Sequence, residues 1–145
     1  EDADWEYTYL IEYPLVVTET EAKVFYQGKE IMLPSYPVMQ NGSLLVPIQR
    51  VAEALGLVYA FDQSSGQMSI KKDNLEMVMG LNDNTANINH ETFELNSPAI
   101  MLDGELMAPL RFICDRFGYG VRLEYYDYAE MPGLDVSRIS RVYLE

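Results

Sequence analysis

The chain repeats itself. The segment from Pro37 to Gly56, PVMQNGSLLVPIQRVAEALG, recurs from Pro98 to Gly118 as PAIMLDGELMAPLRFICDRFG, with one extra residue ahead of the second turn. Gly42, Leu44, Pro47 and Gly56 fall on Gly104, Leu106, Pro109 and Gly118, and the apolar positions between them match in kind. Asn41-Gly42 and Asp103-Gly104 lie between apolar runs, and both dipeptides tolerate the positive φ angles of a tight type I′ hairpin turn. Pro47 and Pro109 suit the first turn of a helix, where a missing N–H costs nothing, while Gly56 and Gly118 suit the left-handed residue that ends one. Between them Ile48, Val51, Ala52 and Leu55, then Leu110, Ile113, Cys114 and Phe117, fall at i, i+3, i+4, i+7. Two hairpins, each followed by a short amphipathic helix, are therefore predicted.

Strand-like patterns follow each helix. Val58 to Phe61 and Met68 to Lys71 flank a turn at Gln63 to Gly66, and Leu75 to Met79 continues the sheet; Val121 to Tyr126 and Ile139 to Leu144 play the same parts in the second unit. Ahead of the repeats, Trp5, Tyr7, Tyr9, Ile11 and Tyr13 alternate with Glu6, Thr8, Leu10 and Glu12, which predicts a strand over 5–17 that pairs with the sheet. The expected fold is α+β: two hairpin-helix-hairpin repeats, with a twisted antiparallel β-sheet packed around short helices. One domain over 1–145 is expected, with repeats at about 23–80 and 85–145.

Charge narrows the partners. Ten basic against 23 acidic residues give a formal charge of -13, which repels phosphate backbones, so nucleic acid is a poor partner and none is expected. The longest apolar runs, such as Leu44 to Ile48, fall far short of the ~20 residues a membrane helix needs, so no membrane insertion is expected. Cys114 is the only cysteine and forms no internal disulfide, which leaves the redox compartment open.

The motif N-G-x-x-x-V-P-[IL]-R-x-x-x-E-x-[LF]-G followed by V-x-W-D is carried here by Asn41-Gly42, Val46-Pro47-Ile48, Glu53 and Leu55-Gly56. Asp103-Gly104, Pro109-Leu110-Arg111 and Phe117-Gly118 carry it a second time. In these residues the chain, over roughly Lys23 to Glu124, resembles the copper amine oxidase N-terminal domain family. Gln49 replaces the usual arginine in the first copy, Asp115 replaces glutamate in the second, and Phe61 and Leu123 stand where tryptophan is common. The resemblance implies a five-stranded antiparallel sheet curled around a helix, used as a stalk or appendage on secreted bacterial proteins. It also implies a secreted or cell-envelope location, and a sequence that opens at Glu1 without methionine is expected to have lost a signal peptide. Copper and the tyrosine-derived quinone of the parent oxidases belong to a separate catalytic domain.

The residues themselves predict no enzyme, no cofactor and no metal. A copper site of that kind needs three imidazoles, whereas His90 stands alone at a predicted turn, Asn87 to Glu91. Tyr125-Tyr126-Asp127 lacks the asparagine of the quinone context. Cys114 occupies the apolar helix face, where a small hydrophobe is expected rather than a nucleophile. Asp62-Gln63-Ser64 and Asn82-Asp83-Asn84 lack the spacing of a calcium loop and read as turns. Arg111 with Asp115, and Gln49 with Glu53, are spaced i, i+4 and predict surface pairs.

The copies differ most after the second helix, where the connection from Glu124 to Leu144 is roughly a dozen residues longer than its counterpart from Asp62 to Ile70. It holds Tyr125, Tyr126, Tyr128, Met131, Pro132 and Gly133. Aromatic side chains on a loop can stack on sugars or anchor a protein, or fold down to cap the core; Tyr125, Tyr126, Tyr128 and Met131 are the candidate binding residues. The expected function is a non-catalytic envelope module, a stalk or a binding domain with a glycan or protein partner. The alternatives are a homo-oligomeric structural protein and, third, a carboxylate-dependent hydrolase, which would need a cleft carboxyl of raised pKa.

Overall fold

Four hairpins turn on two residues that both take positive φ: Gln27-Gly28 (54° and 79°), Asn41-Gly42 (51° and 76°), Asn89-His90 (50° and 73°) and Asp103-Gly104 (52° and 83°). That geometry matches the right-handed twist of the flanking strands. The sequence signals found two of them; the other two use Gln-Gly and Asn-His. In the computed structural model, which describes residues 17–126 and 139–145, these turns organise the described chain.

Strands β1 (Thr18–Glu19), β2 (Lys23–Tyr26), β3 (Lys29–Ile31), β4 (Val38–Gln40) and β5 (Ser43–Pro47) lead into helix α1 (Ile48–Ala54). There follow β6 (Val58–Asp62), β7 (Gln67–Lys72), β8 (Leu75–Gly80), β9 (Thr85–Ile88) and β10 (Glu91–Glu94). β11 (Ile100–Leu102), β12 (Glu105–Pro109), helix α2 (Leu110–Phe117), β13 (Val121–Tyr125) and β14 (Ile139–Leu144) complete the order. The shift in number that carries Gly42 onto Gly104 also carries the first residue of β2 onto that of β9. It does the same for β3 and β10, β4 and β11, β5 and β12, and α1 and α2. Pro37 therefore matches Ala99 rather than Pro98, and the extra residue read from the sequence disappears.

The strands form three sheets: a hairpin sheet, β1-β4-β5-β12-β11; a meander, β10-β9-β8-β7-β6; and a mixed sheet, β13-β14-β2-β3. In the hairpin sheet the two units meet through the antiparallel pair β5 and β12, with Val46 opposite Ala108. These two residues are equivalents, so an approximate two-fold axis runs between them. The outer hairpins are exchanged across this axis: β2–β3 of the first unit pairs with β14 of the second, and β9–β10 of the second pairs with β8 of the first. β8 has no equivalent in the mixed sheet. β7 and β9 both run antiparallel to β8 and so run parallel to each other; where that middle strand is missing, β14 and β2 touch directly as a parallel pair.

This corrects the α+β expectation. Fourteen strands and two helices stand among the described residues, so the fold is mostly β. The i, i+3, i+4, i+7 pattern was real, but the helices have only 7 and 8 residues and serve as plugs, too short to make a layer. The single antiparallel sheet that the resemblance implied is likewise replaced by three sheets, one containing a parallel pair.

Each plug buries most of the predicted face: Ile48, Val51 and Ala52 in α1, and Leu110, Ile113 and Cys114 in α2, are all at most 1% exposed, while Leu55 is buried just past α1 and Phe117 is only partly buried. They pack with Val24, Met68, Ile70, Met77 and Met79 from the two outer sheets into one core. Pro47 and Pro109 sit at the N-caps, one position earlier than predicted, with extended ψ angles of 103° and 114°. The reason is that each proline is also the last residue of a paired strand, so the chain passes from sheet to helix without a loop. Gly118 ends α2 in the left-handed conformation, as expected. Tyr119 ties the halves together, its hydroxyl donating to the Leu55 carbonyl at 3.0 Å and accepting from Lys72 Nζ at 3.1 Å. The strand expected over 5–17, with Trp5, Tyr7, Tyr9, Ile11 and Tyr13, lies outside the described residues except for Val17.

Candidate functional site

Among the described residues β13 pairs with β14 on one side only and is an edge strand of the mixed sheet. The register shifts between Glu124 and Tyr125, so that Tyr125 opposes Ile139 and Ser140 is skipped; the Ser140 hydroxyl donates to the Glu124 carbonyl at 3.1 Å. Such a bulge re-aims the side chains beside it. Tyr125 is 50% exposed, whereas Tyr126 is partly buried. Tyr128, Met131, Pro132 and Gly133 lie outside the described residues.

Val121 and Leu123, on the same strand, line a cleft of about 310 Å³ between β13, α2 and the chain from Glu94 to Ser97. Leu44 and Leu110 add apolar wall, and Arg111, Asp115 and Arg116 add charge. The Arg116 guanidinium packs 4.2 Å from the centroid of Phe112 and 5.1 Å from that of Phe93. Sequence reading missed this cleft. The signal was in the repeat: at the equivalent positions the first copy has Gln49, Arg50, Ala54 and Ile31 where the second has Arg111, Phe112, Arg116 and Phe93.

The outward face of the mixed sheet carries a ladder of charge and rings. Phe25 stacks on Tyr143 at 5.4 Å, Arg122 lies 4.2 Å over Tyr143, and Arg122 Nε pairs with Glu145 at 2.9 Å. Arg141 sits 5.9 Å from Phe25 and 3.9 Å from Glu124. The chain's own guanidiniums cover these rings, so the ladder holds the sheet surface together. Exposed Met32 and Tyr36, on the connection after β3, had no signal in the sequence beyond their apolar type.

His90 occupies the tip of the β9–β10 turn, exposed, at φ 73°. Among the described residues no group of three His, Cys, Asp or Glu side chains could hold a metal. A copper centre built on three imidazoles does not fit a chain with one histidine. Asp62 accepts from the Ser64 hydroxyl at 2.7 Å and its N–H at 2.9 Å, which holds the carboxyl below its ordinary range, the opposite of what a general acid requires. Of the predicted helix pairs, Gln49 Nε2 donates to Glu53 at 3.3 Å, while Arg111 and Asp115 form no ion pair within 4.0 Å.

Cys114 is fully buried where α1 has Ala52. Burial, aided by the charge of Asp115 and opposed by Arg111, pushes its thiol up to about 12. The neutral thiol is the buried form, so its contribution to stability is complete below the unfolded value of 9.0 and is lost as pH rises from there towards 12. Iodoacetamide at pH 8 is expected to label Cys114 only in denaturant; prompt labelling of the native protein would contradict its placement.

No helix among the described residues is long and apolar enough to cross a membrane. The family model described as the copper amine oxidase N-terminal domain matches residues 25–127. Among curated proteins none matches the chain.

Proposed function

The chain belongs to the copper amine oxidase N-terminal domain family, a non-catalytic domain family, and from that premise we propose that it is a binding module, secreted or held in the cell envelope, which recognises a glycan or a protein. The observation that carries this reading is Tyr125, half exposed at the end of β13, an edge strand among the described residues, at the point where the connection absent from the first copy begins. A ring held by a framework while its face meets solvent offers apolar contact at small entropic cost. Tyr125→Ala is expected to change stability by less than about 1 kcal/mol, as exposed substitutions do. The same variant should lose retention on purified cell-wall polysaccharide or on an immobilised envelope protein that retains the parent. Retention unchanged in the variant would remove Tyr125 from the contact.

A self-associating structural protein is the second reading. It is favoured by the edge strand β6, where Val58 is 64% exposed. Sedimentation that depends on protein concentration, and is abolished by Val58→Lys, would select it.

A further inference from the structure

Resting on the binding-module reading, we infer that the cleft between α2 and β13 is a binding site for an extended peptide that presents a carboxylate, with Arg116 and Arg111 as its anchors. The internal repeat separates what the fold needs from what it does not. Both copies build the same turn, proline and helix, yet only the second places Arg111, Phe112, Arg116 and Phe93 around the helix. Since the first copy forms the same frame with Gln49, Arg50, Ala54 and Ile31, the frame does not require the arginines.

Their setting is that of a prepared cation. The chain has 23 acidic residues against 10 basic, and Glu94 and Asp115 line the same cleft, yet neither Arg111 nor Arg116 has a carboxylate within 4.0 Å among the described residues. Packing on Phe112 and Phe93 fixes the guanidinium plane of Arg116, and a planar fork held in place loses little entropy when it meets a carboxylate.

The wall opposite is an edge strand. β13 has no strand on its far side among the described residues, so it can supply main-chain donors and acceptors to an added extended chain, with Val121, Leu123 and Leu44 as apolar contacts. Inside the cleft a sugar ring would need an open aromatic face, but Phe112 is packed by Arg116 and Tyr125 does not line the cleft. Peptide is the ligand that uses the edge strand and the arginines together.

The test is an amide NMR titration of the full chain with acetyl-Thr-Val-Thr-Val bearing a free C-terminal carboxylate, with its C-terminal amide, and with oligogalacturonate. An amide-capped peptide with an internal glutamate distinguishes a side-chain carboxylate from a terminal one. The variants are Arg111→Gln and Arg116→Ala, each taking the residue of the first copy. The free acid is expected to shift α2 and β13 amides saturably, with at least tenfold weaker binding for the peptide lacking any carboxylate and for Arg116→Ala, at an unchanged melting temperature. Equal binding of acid and amide, undiminished binding by Arg116→Ala, or saturation of the cleft by oligogalacturonate and not by peptide would overturn the assignment. If the peptide fails while Tyr125→Ala still loses retention, only the carboxylate site falls; if the peptide binds and Tyr125→Ala retains everything, the Tyr125 contact falls instead.

Discussion

Separated into residues 17–82 and 83–145, neither half is expected to show a cooperative thermal transition, and the transition should return when the two are mixed in equal amounts. Each half would lose a hairpin's partner sheet, because β2–β3 pairs with β14 and β9–β10 pairs with β8. The central seam between β5 and β12 would also open, exposing Val46 and Ala108, both fully buried in the whole chain. Units of roughly 60 residues are marginal even with a complete core. Circular dichroism melts of each fragment and of the mixture, with co-elution on a sizing column, decide the matter. Either fragment melting cooperatively as a monomer would show that the exchanged hairpins are dispensable.

Ile113→Ala is expected to cost about 3 kcal/mol, within the range for large-to-small changes at buried sites, and to lower the melting temperature by roughly 10 °C. Ile113 is 1% exposed, on a helix of 8 residues that has little stability of its own and is held by the side chains it inserts. Cys114→Ala on the same helix gives the contrast. The first copy has Ala52 at that place, fully buried in the same frame, so the loss should stay near 1 kcal/mol or below. Chemical denaturation of both variants tests the pair, and a larger loss for Cys114→Ala than for Ile113→Ala would refute this view of the core.

The local devices were legible because each has a residue that little else replaces: Gly42 and Gly104 for positive φ, Gly118 for the left-handed helix end, and the apolar face of each helix. Two of the four tight turns escaped because their residues are weaker signals. His90 takes φ 73° where the equivalent residue is Gly28, so a turn was expected there, but not the hairpin from Thr85 to Glu94. The fold class was misjudged for a related reason: helical spacing over two turns looks the same in a plug as at the start of a long helix. Pairing between distant strands leaves no mark on either alone, so the exchange of hairpins and the parallel contact of β2 with β14 could not be read from their residues. At the candidate site, Tyr125 was visible as an aromatic residue on a longer connection. The cleft was not, since Arg116 and Phe93 are distant in number and meet only through the fold.

The missing middle strand of the mixed sheet has a mechanical consequence. β2 lies near the N-terminal end of the described chain and β14 near its C-terminal end, side by side and pointing the same way. Once the short β1–β4 pairing ahead of it has yielded, tension applied at Val17 and Glu145 pulls these neighbours along their length in opposite directions. Their cross-links are loaded in shear and must break together, whereas the same tension applied across an antiparallel hairpin opens its bonds one at a time. Single-molecule pulling from those two points should meet a higher rupture force than pulling on the β2–β3 hairpin from its own two ends. A spacer joined to its neighbours at these points would resist stretching through the one seam where the repeat is imperfect.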